Sequence, residues 1–90
     1  VLAIIPYEGE DDAVRIANDS RYGLEAYVYS ASIPRATDIA SRLQAGTVMI
    51  NRTAPDLLAP FGGVRQSGIG REFGVFGIES FLEAKTITSA

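Results

Sequence analysis

The residues best suited to a chemical role in this 90-residue chain lie in one glycine-rich segment, Ala59–Gly74. Five of the nine glycines fall within it: Gly62, Gly63, Gly68, Gly70 and Gly74. Glycine costs backbone entropy unless the chain needs a positive φ or a close approach, so this clustering predicts a shaped loop. Pro60 fixes φ just before Phe61, which helps to aim the aromatic ring out of the segment.

On chemistry alone the segment is best explained as an ordinary connection, in which Arg65 and Arg71, with Glu72, supply the polar partners that a structured loop requires. The alternative is a phosphate-binding loop, and its pattern is absent. Three residues separate Gly68–Gly70 from Gly74, no hydrophobic strand precedes the glycines, and no Gly-Lys-Ser/Thr follows them. The sequence therefore predicts neither a dinucleotide-binding turn nor a P-loop here.

The residue order in Pro60–Glu72, Pro-Phe-Gly-Gly-Val-Arg-Gln-Ser-Gly-Ile-Gly-Arg-Glu, closely resembles a segment near the carboxyl end of aldehyde dehydrogenases. That segment reads Pro-Phe-Gly-Gly-x-Lys/Arg-x-Ser-Gly-x-Gly-Arg-Glu. Flanking motifs resemble the same family in the same order: Ala13–Asp19, Tyr22–Leu24, Ala45–Val48 with Ile50 and Asn51, and Lys85 with Thr86. The resemblance covers essentially all 90 residues and implies the carboxyl-terminal part of the catalytic domain.

The resemblance implies the chemistry of the parent enzyme: oxidation of an aldehyde to a carboxylic acid, with NAD or NADP accepting hydride. In the family, the nucleophilic cysteine, the catalytic glutamate and the Rossmann-type cofactor half lie upstream of this segment. The chain contains no cysteine, in agreement with that placement. We therefore expect no catalytic, cofactor-binding or metal-binding residue within Val1–Ala90, and no activity from the segment alone.

The resemblance also implies where the segment meets the aldehyde. The loop Arg52–Ala59 matches the family's variable loop at the mouth of the substrate tunnel, and Phe61 matches a ring near the tunnel wall. Asp56, Leu57 and Leu58 are then expected to tune aldehyde preference, and the two leucines suit an apolar side chain.

Two other functions stay open on the sequence. A non-catalytic binding or assembly module would keep this fold without the chemistry. Sequence upstream of Val1 discriminates between these functions, because a cysteine and a glycine-rich βα turn there would indicate an enzyme. A relative that acts on acyl phosphates or semialdehydes is the second alternative, and this segment does not separate it from an aldehyde dehydrogenase.

The amino-acid composition excludes several classes of protein and of binding site. The net charge is −3 and the arginines form no basic run, so nucleic-acid binding has little support. The absence of cysteine and histidine excludes disulfides, thiolate metal sites and an imidazole base. The longest apolar run, Val1–Ile5, is too short to span a bilayer and no signal-peptide pattern is present, so we expect a cytoplasmic protein. The chain opens without methionine inside a predicted strand, which is typical of a fragment.

The hydrophobic pattern predicts five alternating elements up to Asn51. They are a strand Val1–Ile5, a helix from Gly9 to about Asn18, a strand of roughly Glu25–Ser30, a helix capped by Ser32 and stopped by Gly46, and a strand Thr47–Ile50. This order is a βαβαβ unit, an α/β fold with a parallel sheet and right-handed crossovers. Ligands of such sheets bind beyond the carboxyl ends of the strands. Asn51, directly after the third strand, is expected to hold the loop backbone.

After the glycine-rich segment the pattern predicts a short helix, about Val75–Leu82, and a final strand, Ala84–Thr88. The strand has no hairpin partner nearby. The resemblance implies that Glu83–Ala90 is an oligomerisation strand that joins another subunit's sheet. Lys85 has an alternative explanation as a charge that blocks unwanted edge pairing. The expected partners are the rest of the same enzyme, a second copy and the aldehyde, with no nucleic acid or membrane.

Overall fold

The computed structural model describes all 90 residues, Val1–Ala90, and has an α/β architecture. Its elements are α1 (Gly9–Asn18), β1 (Tyr22–Gly23), β2 (Glu25–Val28), α2 (Ile33–Arg42), β3 (Thr47–Ile50), β4 (Val64–Arg65) and α3 (Gly74–Glu79). β2 and β3 pair in parallel, whereas β1 and β4 pair antiparallel, so the strands form two separate two-stranded sheets.

The β2–α2–β3 unit holds the core of the chain. Its parallel register sets Glu25 opposite Thr47 and continues for four residue pairs. The buried apolar side chains come from its three elements: Val28, Ala36 and Met49. The helix begins where the sequence predicts, because the Ser32 side chain accepts a hydrogen bond from the backbone N–H of Arg35 and Pro34 occupies the first turn.

The first and last predicted strands are not confirmed, although the helix α1 between the first two predicted strands is. Val1–Ile5 forms no strand, and its side chains are exposed. Ala84–Thr88 likewise forms no strand and is exposed throughout. A buried parallel strand needs a neighbour on the sheet and helices over its faces, and no strand of this chain lies beside either segment.

Several predicted boundaries also shift. β2 stops at Val28 rather than near Ser30, and α3 is only six residues long. α2 ends at Arg42 with Leu43 as its C-cap, so the prediction that Gly46 stops this helix is wrong. A Cβ atom at Gly46 would overlap the carbonyl oxygen of Gly62. Gly46 is therefore required by a close approach of two backbones, not by a helix end.

The first turn of α1 carries three carboxylates, Glu10, Asp11 and Asp12, which complement the positive end of the helix dipole. Each carboxylate pairs with a different arginine: Glu10 with Arg35, Asp11 with Arg42 and Asp12 with Arg15. The carboxylates diverge, and no group of three or more metal-ligating side chains forms. A hydrogen bond from the Glu8 backbone, followed by one from Arg15, holds the pKa of Asp12 below its usual value. The hydrogen bond with Asp11 raises the pKa of Arg42.

The chain exposes far more surface than a compact protein of its size. Its accessible area is 7347 Å², whereas a compact folded chain of this mass has about 5,100 Å². Its radius of gyration is 17.1 Å, against about 12 Å for a compact domain of this length. The excess of about 2,200 Å² is the size of an extensive protein–protein interface. None of the three helices is long and apolar enough to cross a membrane.

Candidate functional site

A cavity of about 350 Å³ lies beside β3 and the loop that follows it. Its wall combines strand, loop and aromatic residues, including Met49, Ile50, Arg52, Asp56, Phe61 and Phe73. The position agrees with the rule that ligands of parallel sheets bind near the carboxyl ends of the strands. Most of the lining is apolar, which suits the hydrocarbon part of a small molecule.

Two aromatic rings form one wall of this cavity. The rings of Phe61 and Phe73 have centroids 6.0 Å apart at an interplanar angle of 29°. Phe61 is half-buried, and Phe73 directly precedes α3 with a positive φ of 66°. Such a pair contributes about 0.5–1.5 kcal/mol beyond the burial of its area. The position of Phe61 therefore depends on the fold of the segment that carries Phe73.

The structure does not bring the four predicted substrate residues into one site. Asp56 and Phe61 line the cavity beside β3. Leu57 and Leu58 instead line a second hollow, of about 640 Å³, that faces α3. Phe73 borders both hollows, so they meet at its ring.

A turn at Asp56 explains this separation. The Asp56 Oδ1 atom accepts a hydrogen bond from the Leu58 N–H at 3.0 Å, and the Asp56 carbonyl accepts one from Ala59 N–H at 3.1 Å. Aspartate favours this local turn because its short side chain reaches the backbone two residues ahead. The reversal sends the two leucines away from the cavity that Asp56 lines.

Asn51 links the end of β3 to the segment that follows β2. Its side chain bonds both polar backbone groups of Ser30: Oδ1 accepts from N–H at 2.9 Å, and Nδ2 donates to the carbonyl at 2.8 Å. The Asn51 N–H also donates to the Val28 carbonyl at 2.9 Å. Asn51 has a φ of 53°, a left-handed conformation that asparagine tolerates better than most residues.

The glycine-rich segment is a closed loop. Phe61 and Glu72 exchange two backbone hydrogen bonds of 2.8 and 2.7 Å across its base. The Arg71 guanidinium donates to the carbonyl oxygens of Gly63 and Gly70, each at 2.8 Å. These contacts confirm that Arg71 supplies polar partners to the loop. Glu72 contributes through its backbone.

Several backbone N–H groups of the loop are engaged within the chain. Those of Phe61, Gln66, Ser67 and Glu72 donate to carbonyl oxygens. A phosphate-binding turn instead points free N–H groups at the ligand and opens into a substantial helix. α3, which follows this loop, has six residues.

Arg65 connects the loop to distant parts of the chain. Its guanidinium donates to the carbonyl oxygens of Asn18 at 2.7 Å and Ser20 at 2.5 Å, and to the Gln44 side-chain oxygen. These bonds confirm the prediction that Arg65 supplies polar partners to the loop. The sequence contains no signal that the acceptors would be Asn18, Ser20 and Gln44, which lie far from Arg65 along the chain. Met49 in the cavity wall was also missed, although it lies near the end of β3, where ligands of parallel sheets bind. Arg52, at the start of the predicted tunnel loop, lies in the same wall.

The chain matches the model of the aldehyde dehydrogenase family over residues 1–87. It belongs to this family. A 3-succinoylsemialdehyde-pyridine dehydrogenase from a Pseudomonas species is 53% identical over 87 residues, which cover 97% of this chain and 18% of that relative. The geranial dehydrogenase of Castellaniella defragrans is 54% identical with the same coverage. This aldehyde dehydrogenase chain therefore spans about a fifth of the length of these relatives.

Solved aldehyde dehydrogenases share the fold. An aldehyde dehydrogenase of Mycobacterium tuberculosis in complex with NAD+ superimposes with a TM-score of 0.86 at 50% identity, covering 89% of this chain and 17% of that structure. A mutant of aldehyde dehydrogenase C from Pseudomonas syringae, in complex with NAD+ and octanal, gives 0.85 at 48% identity, with coverages of 88% and 16%. The α/β arrangement described above is thus that of the corresponding part of these enzymes.

Proposed function

We propose that this chain is the carboxyl-terminal part of an NAD(P)-dependent aldehyde dehydrogenase that oxidises an aldehyde to a carboxylic acid. The observation that carries the proposal is the family match over residues 1–87, in a chain that spans 18% of its relatives. The large exposed area supports it, because a segment that packs against the remainder of an enzyme exposes its buried faces when it is considered alone.

In this proposal the segment shapes the substrate site and leaves the covalent chemistry to the remainder of the enzyme. It has no thiol to attack a carbonyl and no imidazole to accept a proton. NAD or NADP would accept hydride during the reaction, and both solved relatives named above contain NAD+. Four backbone donors of the glycine-rich loop, those of Phe61, Gln66, Ser67 and Glu72, are occupied. We assign the segment's residues to the aldehyde rather than to the cofactor.

The cavity beside β3 supplies the aldehyde contacts. Its apolar wall, with the Phe61 ring, excludes water from the hydrocarbon part of the substrate. Asp56 shapes the loop through its turn and lies at the same wall. Leu57 and Leu58 are proposed to influence preference from the neighbouring hollow, which meets the cavity at Phe73. We propose that an aldehyde with an apolar chain fits this wall. One relative is a geranial dehydrogenase, and one solved relative is in complex with octanal.

Replacing Phe61 by alanine in the full-length enzyme is expected to change aldehyde selectivity. The ratio of kcat/KM between a bulky and a small aldehyde should shift by about 1–3 kcal/mol, the usual contribution of one apolar pocket contact. Steady-state kinetics with acetaldehyde and octanal measure this ratio. Phe76→Ala is the matched control, since Phe76 is a ring of the same size that lines neither hollow. An equal loss for every aldehyde would mean that Phe61 only packs the loop.

The isolated 90-residue chain is expected to oxidise no aldehyde, because it has no cysteine nucleophile and the resemblance places the catalytic glutamate upstream. Absorbance at the wavelength of NAD(P)H, measured beside the full-length protein and a blank, checks this. Reduction of NAD(P) by the purified segment would contradict the proposal. A full-length protein that oxidises no aldehyde would instead favour the alternative of a non-catalytic binding or assembly module.

A further inference from the structure

A polar cluster outside the cavity joins the glycine-rich loop to the ends of both long helices. Arg65 stands at the end of β4, and its guanidinium lies at the C-terminal end of α1, where it bonds the carbonyls of Asn18 and Ser20. The same guanidinium bonds the side-chain oxygen of Gln44, two residues beyond the end of α2. One cation therefore reaches three acceptors from two different parts of the chain.

Asn18 connects these acceptors to one another. Its Nδ2 atom donates to the Arg42 carbonyl at 2.9 Å, and its Oδ1 atom accepts from the Gln44 N–H at 2.8 Å. The C-terminal ends of α1 and α2 are thus fastened together. The last carbonyls of a helix lack intrahelical donors and carry the negative end of its dipole, so a cation at this position is favourable.

The backbone at Arg65 shows that these contacts fix the base of the loop. Arg65 has a φ of 54°, a left-handed conformation that an arginine rarely adopts without support from its surroundings. The two residues that follow Arg65 are also bonded to the segment after α1. The Gln66 N–H donates to the Arg21 carbonyl, and the Ser67 Oγ accepts from the Gly23 N–H, both at 2.9 Å. The base of the loop is therefore attached at several points to the chain that follows α1.

We propose that Arg65 is a positioning residue for aldehyde selection, a proposal that rests on the function proposed above. Its guanidinium fixes the base of the loop on the helix ends. The Phe61–Glu72 backbone pair and the bond from Arg71 to Gly63 then transmit that position to the Phe61 ring at the cavity wall. Without the guanidinium, the strained backbone at residue 65 relaxes and the ring loses its fixed place.

The test compares Arg65→Met, Arg65→Lys and Arg21→Met in the full-length enzyme. Arg65→Met is expected to raise KM for octanal about tenfold and to leave acetaldehyde within about twofold, since a displaced ring alters only contacts with the longer chain. kcat should stay near the original value for both aldehydes. Arg65→Lys should restore most of the selectivity, because an ammonium group also donates to carbonyls. Arg21→Met is the matched control, because Arg21 is exposed and its side chain makes no hydrogen bond.

Amide hydrogen exchange gives a second readout that does not depend on catalysis. The N–H groups of Gln66, Ser67 and Glu72 should exchange at least about fivefold faster in Arg65→Met than in Arg21→Met. Gln44→Met, which removes one of the three acceptors, should increase the exchange rates by a smaller factor. This variant replaces Arg65→Met in the test if Arg65→Met does not fold. Unchanged loop exchange in these variants, or an equal loss of kcat for both aldehydes without a change in selectivity, would overturn the proposal. If the unaltered protein oxidises no aldehyde, the proposed function fails, and the exchange data alone decide whether Arg65 fixes the loop.

Discussion

Deletion of Glu83–Ala90 from the full-length enzyme is expected to weaken or abolish the dimer that we propose for it, while the residues of the cavity beside β3 stay in place. Every side chain of this tail is exposed, including Ile87 at 86%. Its backbone groups make no hydrogen bond to the rest of the chain. An unpaired, β-branched segment of this kind is a template for strand pairing with another chain. We propose that this partner is a neighbouring subunit.

The expected loss of dimer affinity follows from the contacts that the deleted tail would no longer make. Strand addition satisfies a row of backbone groups and buries alternate side chains, so its removal should raise the dimer dissociation constant at least about a hundredfold, or roughly 3 kcal/mol. Size-exclusion chromatography with light scattering at micromolar concentration measures the mass. Deletion of Ser89 and Ala90 alone is the control, because it leaves Ala84–Thr88 intact. An unchanged mass after the longer deletion would contradict the assignment.

A Lys85→Ala variant separates the two explanations of that lysine. If Lys85 only blocks unwanted edge pairing, its removal should leave the dimer intact and produce larger assemblies. If the side chain supports the subunit contact, its removal should weaken the dimer instead. The same light-scattering measurement records both results.

Elements with local sequence signals could be predicted. The acidic first turn of α1, the Ser32 cap of α2 and the strand Thr47–Ile50 each depend on residues within a few positions. Local capping and periodicity act within one or two turns of chain, which explains this success.

Features that depend on distant contacts could not be predicted. The apolar run Val1–Ile5 indicates burial but carries no information about what covers it, and no partner lies within the chain. Because of the turn at Asp56, the four predicted substrate residues line two hollows rather than one. The acceptors of Arg65 are 45 and 47 residues away for its two backbone bonds. Composition and spacing do not encode such contacts.

The sequence predicts a structural role for Gly46, but the physical reason for that role differs from the predicted one. A glycine after a helix usually ends it, but here the helix ends earlier and Gly46 lies against the glycine-rich loop. A Cβ atom at this position would overlap the Gly62 carbonyl oxygen and lie 3.2 Å from the Gly63 Cα. Both neighbours are backbone atoms, so no side-chain rotation can make room.

Gly46→Ala is therefore expected to destabilise the full-length enzyme by about 3 kcal/mol or more, at the upper end of overpacking effects. The loop base must move away from β3, which also displaces Phe61, so aldehyde selectivity should change along with the melting temperature. Thermal unfolding and the octanal-to-acetaldehyde ratio measure the two effects.

Gly70→Ala is the matched control within the same loop. No atom lies within 4 Å of its Cβ position and its φ is not in the left-handed region. The added methyl group should leave stability unchanged or raise it by about 0.4–1 kcal/mol, because it restricts the unfolded chain. Since both variants replace glycine by alanine, any difference between them isolates the backbone contact of Gly46. Equal melting temperatures for the two variants would show that the loop moves away from β3 without cost, and the close approach would then not position Phe61.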